Sequence, residues 1–231
     1  MPHPLQKLRA AAAFVRLAQD MDRLDEVFNL GDGLVDTEVL GAMAAEARRH
    51  ATGAAALRDR PHVHLDLATL RSLPEGTLGR TYADQMIANG LDPADIPSLD
   101  ASDELRYVRA HLYETHDLWH VATGFATDVA GELGLQAFYS AQLPGKLPIA
   151  ILAAGLVNTL VRQFGDRDRR LREIARGWLL GRRSRSLFGT RWDELLPLPL
   201  DEARARLGLD LAVVDAVLPP RQAVDELRAA A

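Results

Sequence analysis

Residues 102–142 read SDELRYVRAHLYETHDLWHVATGFATDVAGELGLQAFYSAQ, and this stretch decides the fold. Its first half predicts a helix from near Ser102 to Gly124, because Leu105, Val108, Leu112, His116 and Trp119 recur at the three- and four-residue spacing of a core-facing stripe. A second helix is expected from Thr127 or Asp128 to Gln142, ended by Pro144-Gly145. Between them Gly124, Gly131 and Gly134, with the capping candidates Thr127 and Asp128, supply the place for a break.

The flanks are helical as well. Leu5, Leu8, Ala12 and Val15 form one stripe, and a helix is expected from Thr37 to about His50. After a loop with Pro61, a short helix starts near Asp66; Thr77 is placed as the N-cap of the next and Gly90 just past its end. An apolar helix is expected from Leu147 to Phe164, an Arg-rich one between Asp168 and Gly181, and short helices beyond, with Asp201 as an N-cap and Pro219-Pro220 as a break. The expected fold class is all-α: a single-domain helical bundle over residues 1–231 with a metal site on two consecutive helices. Residues from about 211 to 231 read as a more loosely attached extension.

Composition narrows the function. There is no cysteine, so disulfides, thiolate metal sites and cysteine nucleophiles are excluded, and any metal must be held by nitrogen and oxygen. With 27 basic and 32 acidic side chains the net charge is −5, which argues against nucleic acid as a partner. No signal peptide is evident, and the longest apolar stretch, Leu147 to Val161, is shorter than the ~20 residues of a membrane-spanning helix.

The sharpest chemical signal is His116-Asp117-Leu118-Trp119-His120. On a helix the two imidazoles stand about 40° apart on one face, and Asp117 lies about 60° from His120, so three donors share one sector. Such a cluster can grip a divalent ion without bending the backbone. A lone core histidine is more often hydrogen-bonded to its neighbours, but the paired arrangement favours a metal. Glu132, the twelfth residue after His120, would lie roughly 18 Å away on a continuous helix and reaches the same ion only if the chain folds back.

With these residues in view, the sequence resembles the Coq-four family of ubiquinone (coenzyme Q) biosynthesis proteins. Its hallmark, His-Asp-x-x-His-(eleven residues)-Glu, runs here from His116 to Glu132. The segment Leu73-Pro74-Glu75-Gly76-Thr77-Leu78-Gly79-Arg80-Thr81-Tyr82 is similar to a second family block, as are GELGLQAFYSAQ (131–142) and the Gly177-Trp178…Gly181…Trp192 region. The match covers roughly residues 8–208. It departs at His111-Leu112-Tyr113, where the family often carries Arg-Tyr-Arg, which points to a divergent bacterial branch.

The resemblance implies a metal, zinc first among the divalent ions, on His116, Asp117, His120 and Glu132. It implies C1 decarboxylation of a polyprenyl 4-hydroxybenzoate-derived intermediate, with a hydroxyl taking the carboxylate's place, and so a carbon–carbon lyase or oxidative decarboxylase. It further implies an isoprenoid lipid bound in an apolar cavity, other quinone-biosynthesis proteins as partners, and a bacterial cytoplasmic protein peripherally associated with the inner membrane. Arg80 is the candidate to pair with a substrate anion, and Leu152 and Leu156 on the apolar helix are candidates to line the tail site. That helix reads equally as a core helix or a tunnel wall. From Arg162 to Arg191 there are ten arginines against three acidic residues, either a solvated face or a dock for anionic lipid.

Two rival functions are a non-catalytic lipid-binding scaffold with a structural metal, and a metal-dependent phosphohydrolase that recruits His50, His62 or His64. A homodimer is left open by the sequence.

Overall fold

The computed structural model describes residues 4–95 and 99–218. Among them the regular structure is helical, with no β-strand. The helices are α1 (Pro4–Gln19), α2 (Leu24–Leu34), α3 (Thr37–Ala47), α4 (Ala51–Asp59), α5 (Leu67–Arg71), α6 (Leu78–Ala88) and α7 (Glu104–Thr123). They continue as α8 (Val129–Gln142), α9 (Lys146–Val161), α10 (Arg167–Arg183), α11 (Trp192–Leu195), α12 (Leu200–Leu207) and α13 (Leu211–Val217). They form a single helical domain.

Local chemistry sets the boundaries. Asp36, Asp66, Thr77, Asp103, Asp128 and Asp210 each accept a backbone N–H from the third residue on, which satisfies one orphan donor of the helix that follows. Asp201 instead lies inside α12, after Pro199 at its start. Two helices escape the sequence reading, α2 and α4; His50, expected to end a helix, begins α4. Pro219-Pro220 and most of the expected loose extension lie outside the described residues. Residues 211–217 form α13, where Val214 is fully buried and Asp215 pairs with Arg176 at 2.9 Å.

Three apolar clusters hold the bundle. The largest joins α6, α7, α8 and the C-terminal helices around Tyr82, Trp119, Phe138 and Trp192. A second lies between α3, α4 and α7 around Met43, Tyr107 and Phe188. A third holds α1, α2 and α9 to α8 through Leu17, Leu30, Leu133 and Ile151. The most intimate helix pair is α8 with α10. A Cβ at Gly177 would sit 1.9 Å from the carbonyl oxygen of Gly134, so the two backbones touch because neither residue carries a side chain there.

Three stretches behave differently from their sequence patterns. In α1 the stripe of Leu5, Leu8, Ala12 and Val15 faces solvent, and the small residues Ala10 and Ala13, with Leu17, make the contact. In α9 the last turns invert the expected polarity. Asn158 and Thr159 are buried, while Ile149, Leu156, Val157, Leu160 and Val161 are exposed. The helix is buried on one side only: Pro148, Ile151 and Ala154 face the core, and hydrogen bonds of Asn158 and Thr159 anchor its C-terminal end. Asn158 donates to the carbonyls of Ala18 and Gln19, and Arg170 donates to both Asn158 and Thr159. The Arg-rich stretch is divided between interior and surface, with Arg162, Arg182, Arg183, Arg185 and Arg191 exposed. Arg170 and Arg176 are buried, Arg169 pairs with Asp128, and Arg191 pairs with Asp193. No single helix among the described residues is long and apolar enough to cross a membrane.

Candidate metal centre

The corner between α7 and α8 brings the donors together. Gly124 takes φ +72°, a left-handed conformation that an L side chain resists, and its N–H closes α7 on the His120 carbonyl. Phe125 then turns into the core, and Asp128 caps α8 through the Gly131 N–H at 2.9 Å. Glu132 falls in the first turn of α8, where the free N–H groups favour a carboxylate.

His116, His120 and Glu132 each offer one ligand atom, and these atoms lie within 4.8 Å of one another. Glu132 Oε2 is 3.0 Å from His120 Nε2 and 3.8 Å from His116 Nε2. Two ligand atoms each about 2.1 Å from a tetrahedral metal stand about 3.4 Å apart, so the spacing fits a metal of zinc's size. The remote atoms are held too. His120 Nδ1–H donates to the Phe125 carbonyl at 3.2 Å, Tyr139 Oη meets His116 Nδ1 at 3.4 Å, and Gln136 Nε2 donates to Glu132 Oε1 at 2.6 Å. Both Nε2 atoms and one carboxylate oxygen are thereby turned toward a single point. The tautomer follows, because a carbonyl can only accept; His120 Nδ1 keeps its hydrogen and Nε2 is the position for a second proton or a metal.

Electrostatics support the same arrangement. Burial pushes the Glu132 carboxyl up, but the imidazoles of His116 and His120 and the hydrogen bonds from His120 and Gln136 outweigh it and hold the group at about 2. Burial alone lowers the pKa of His120, yet its bond to Glu132 and that residue's charge raise it above the ordinary value. For His116 burial wins, and its pKa is lowered. His120 is buried, whereas the His116 and Glu132 side chains are about a third exposed, at 34% and 30%, so the centre opens to solvent on their side.

Asp117, expected as a fourth ligand, is not in this three-residue group. It lines a small cavity with Tyr82, Met86, His120 and Thr127. Arg80 donates to Asp84 at 2.8 Å and to the Arg71 carbonyl at 2.7 Å, an intrahelical ion pair with a link to α5. Leu152 is half-buried against the third cluster, and Leu156 is exposed. His50 stands 3.9 Å from Glu46 and His62 2.7 Å from Glu114, so neither joins the metal group. Residue 111 also lies apart. His111 is buried beside Phe188, accepts the Gly189 N–H on Nε2 and contacts Tyr107 Oη through Nδ1, both at 3.2 Å.

Sequence reasoning missed the supports. Gln136 and Tyr139 follow Glu132 at four and seven residues, hence on the same helical face, and that spacing was the available signal. Tyr139 also stacks on Trp119 at 4.3 Å and on His116 at 6.0 Å, which fixes the imidazole plane.

Comparison with known proteins bears on what this centre serves. The family model described as "Coenzyme Q (ubiquinone) biosynthesis protein Coq4" matches residues 4–212. The mitochondrial ubiquinone biosynthesis protein coq4 of Aspergillus fumigatus is 32% identical over 195 residues, 81% of this chain and 67% of that protein. Its counterpart from Yarrowia lipolytica is 30% identical over 199 residues, 83% of this chain and 74% of that protein. Among solved structures, a candidate ubiquinone biosynthesis protein from Nostoc punctiforme PCC 73102 superposes with a TM-score of 0.75 at 30% identity, covering 87% of this chain and 97% of that one.

Proposed function

From the premise that this chain belongs to the coenzyme Q (ubiquinone) biosynthesis protein Coq4 family, and so serves ubiquinone biosynthesis, we propose that it acts on the carboxylated head of a polyprenylated aromatic intermediate at a divalent-metal centre. The reaction is removal of the C1 carboxylate from a 4-hydroxybenzoate-derived ring. The observation that carries the reading is the convergence of His116, His120 and Glu132 on one point with each remote atom separately held.

These three residues would hold the ion. When bound, a divalent metal such as zinc supplies a Lewis acid for a carboxylate or phenolate. Glu132 stays ionised throughout the physiological range and offsets one of the two positive charges. His116 and Glu132 form the accessible rim, so the aromatic head would approach from their side, and buried His120 would help hold the ion. Tyr139 is held protonated by burial and by the charges of Glu132 and Asp117, and its hydroxyl lies 3.4 Å from His116 Nδ1.

The prenyl tail and the membrane belong to the same proposal. Leu156, Val157, Leu160, Val161 and Phe164 form an exposed apolar run on α9 and the turn after it, with exposed Leu5, Leu8 and Val15 on the neighbouring α1. Each buried CH₂ contributes about 0.8 kcal/mol, so this side favours a lipid surface, where the prenylated substrate resides. Peripheral association with the bacterial inner membrane, and recruitment of other quinone-biosynthesis proteins there, follow as parts of the reading.

The test is complementation with Glu132→Gln in a strain lacking the native protein. The near-isosteric change keeps the fold, and the strain is expected to accumulate the carboxylated precursor. Normal quinone levels at matched expression would overturn the metal-centred reading in favour of a non-catalytic scaffold.

A further inference from the structure

The last carbonyls of an α-helix lack intrahelical partners, and in α7 these belong to His120, Val121, Ala122 and Thr123. The Gly124 N–H meets the first of them at 2.8 Å. The others are met by two guanidiniums from later in the chain. Arg204 on α12 donates from Nε to the Ala122 carbonyl at 2.9 Å and from Nη2 to that of Val121 at 3.3 Å. Arg176 on α10 donates from Nη2 to the Thr123 carbonyl at 3.5 Å. Arg176 does more than cap. It is buried, Asp215 on α13 accepts its Nε–H at 2.9 Å, and its guanidinium lies 4.8 Å from the centre of the Phe125 ring. That ring also abuts α8, where a Cβ at Gly134 would stand 2.6 Å from it. Burying a cation is costly unless it is well partnered, and this one joins the end of α7, the corner residue Phe125 and α13. The main chain of Phe125 leads on to the site: its carbonyl accepts His120 Nδ1–H at 3.2 Å.

We propose that Arg176 is a positioning residue for the metal centre: it pins Phe125 so that the carbonyl of that residue keeps His120 turned with Nε2 toward the ion, and its bond to Asp215 ties that hold to the docking of α13. The inference rests on the metal reading above. A group that holds the remote nitrogen of a ligating histidine contributes about 10–100-fold in metal affinity. Arg204 supplies the contrast. Its hydrogen bonds go to Val121 and Ala122, so it serves the same helix end without holding Phe125.

Full-length wild type, Arg176→Met, Asp215→Asn and Arg204→Met are compared at a temperature where each is folded. Zinc affinity is read by chelator competition, and hydrogen exchange of the His120 Nδ1–H by NMR. Arg176→Met is expected to bind zinc roughly tenfold more weakly, and to exchange that hydrogen faster in the metal-free and the loaded protein alike. Asp215→Asn should move both readouts in the same direction, with zinc affinity down about fivefold. Arg204→Met should lower the melting temperature yet keep zinc affinity within about twofold of wild type. An arginine that merely capped α7 would change the melting temperature and leave zinc affinity and imidazole exchange where they were. Wild-type affinity and exchange in Arg176→Met, or equal losses in Arg204→Met, overturn the inference. Should Arg176→Met fail to fold, Asp215→Asn decides: faster exchange with weaker zinc binding supports the hold, and wild-type values overturn it. If wild type itself binds no zinc, the metal reading fails, and the exchange contrast among the metal-free proteins still decides whether Arg176 holds His120 through Phe125.

Discussion

Replacing Gly177 with alanine tests whether the metal centre depends on the backbone contact of α8 with α10. The added Cβ would meet the Gly134 carbonyl oxygen at 1.9 Å and its carbonyl carbon at 2.8 Å, with the Phe138 nitrogen at 3.1 Å. All three are main-chain atoms of α8, so no side chain can rotate out of the way. Ordinary contact begins near 3.4 Å, and one helix must retreat by about 1.5 Å, which loosens the packing of Phe138 and Leu180. Overpacking costs typically 1–3 kcal/mol, and the absence of a flexible neighbour places this change near about 3 kcal/mol. For a chain of this length that lowers the melting temperature by roughly 6–12 °C. Because α8 carries Glu132, zinc affinity should fall together with stability. Thermal melts followed by circular dichroism, with zinc titrations at a temperature where both proteins are folded, measure both effects. Gly41→Ala is the control, since a Cβ there meets nothing within 4 Å and should stabilise α3 by about 0.5–1 kcal/mol. A Gly177→Ala protein that melts with the wild type and binds zinc equally well would refute the reasoning.

Other outcomes follow from the same geometry. His116→Ala and His120→Ala should each lose bound divalent metal, about one ion per chain in the wild type, when elemental content is measured after purification. Zinc affinity should fall about tenfold per pH unit once pH drops below the raised pKa of His120, because a proton then competes for Nε2; titrations between neutral pH and pH 5 would show no slope if that nitrogen were not a ligand. His111 is buried and neutral, with burial the first cause of a pKa lowered to about 4. The unfolded chain takes up that proton near pH 6.5, so this contribution to stability is complete above 6.5 and is lost as pH falls toward 4, by about 3 kcal/mol in all. Urea melts of His111→Gln should show a flatter slope in that window. Leu160→Lys with Val161→Lys, at positions 69% and 66% exposed, should reduce sedimentation with anionic vesicles while leaving the melting temperature within a few degrees.

Much of the architecture is written in short-range signals. Caps at Asp66 and Thr77, the glycine after α7 and the proline after α8 are local, and they delimited those helices from sequence. The His116–His120 pair was legible for the same reason, since four residues on a helix is a fixed distance. Glu132 is a harder case: only the fold-back at Gly124 brings it near, and the count of residues between the motifs stood in for that geometry. Asp117 lies outside the three-donor group and beside Tyr82 and Met86, a placement set by rotamer and packing that helical spacing does not report. Helix α4 is an alanine-rich run with little apolar contrast, whereas α2 carries a stripe of Val27, Leu30 and Leu34 that the sequence reading passed over. The orientation of α9 was not legible because hydrophobicity alone ranks Leu160 above Asn158 for burial, whereas the hydrogen bonds of Asn158 and Thr159 to Arg170 reverse the order.

That reversal makes α9 a latched helix. Rolling it to hide Leu156 and Leu160 would carry Asn158 and Thr159 into water and unfasten them from the end of α1 and from Arg170, whose guanidinium is also tied to Asp166 at 3.0 Å. A buried guanidinium stripped of such partners is far more costly than an exposed leucine. The greasy side is therefore displayed by every folded copy, whatever the neighbouring side chains do. In bulk water that is a standing solubility penalty which local rearrangement cannot remove. At an oil–water boundary the same latch presents the helix already turned the right way, and arrival there requires no refolding step.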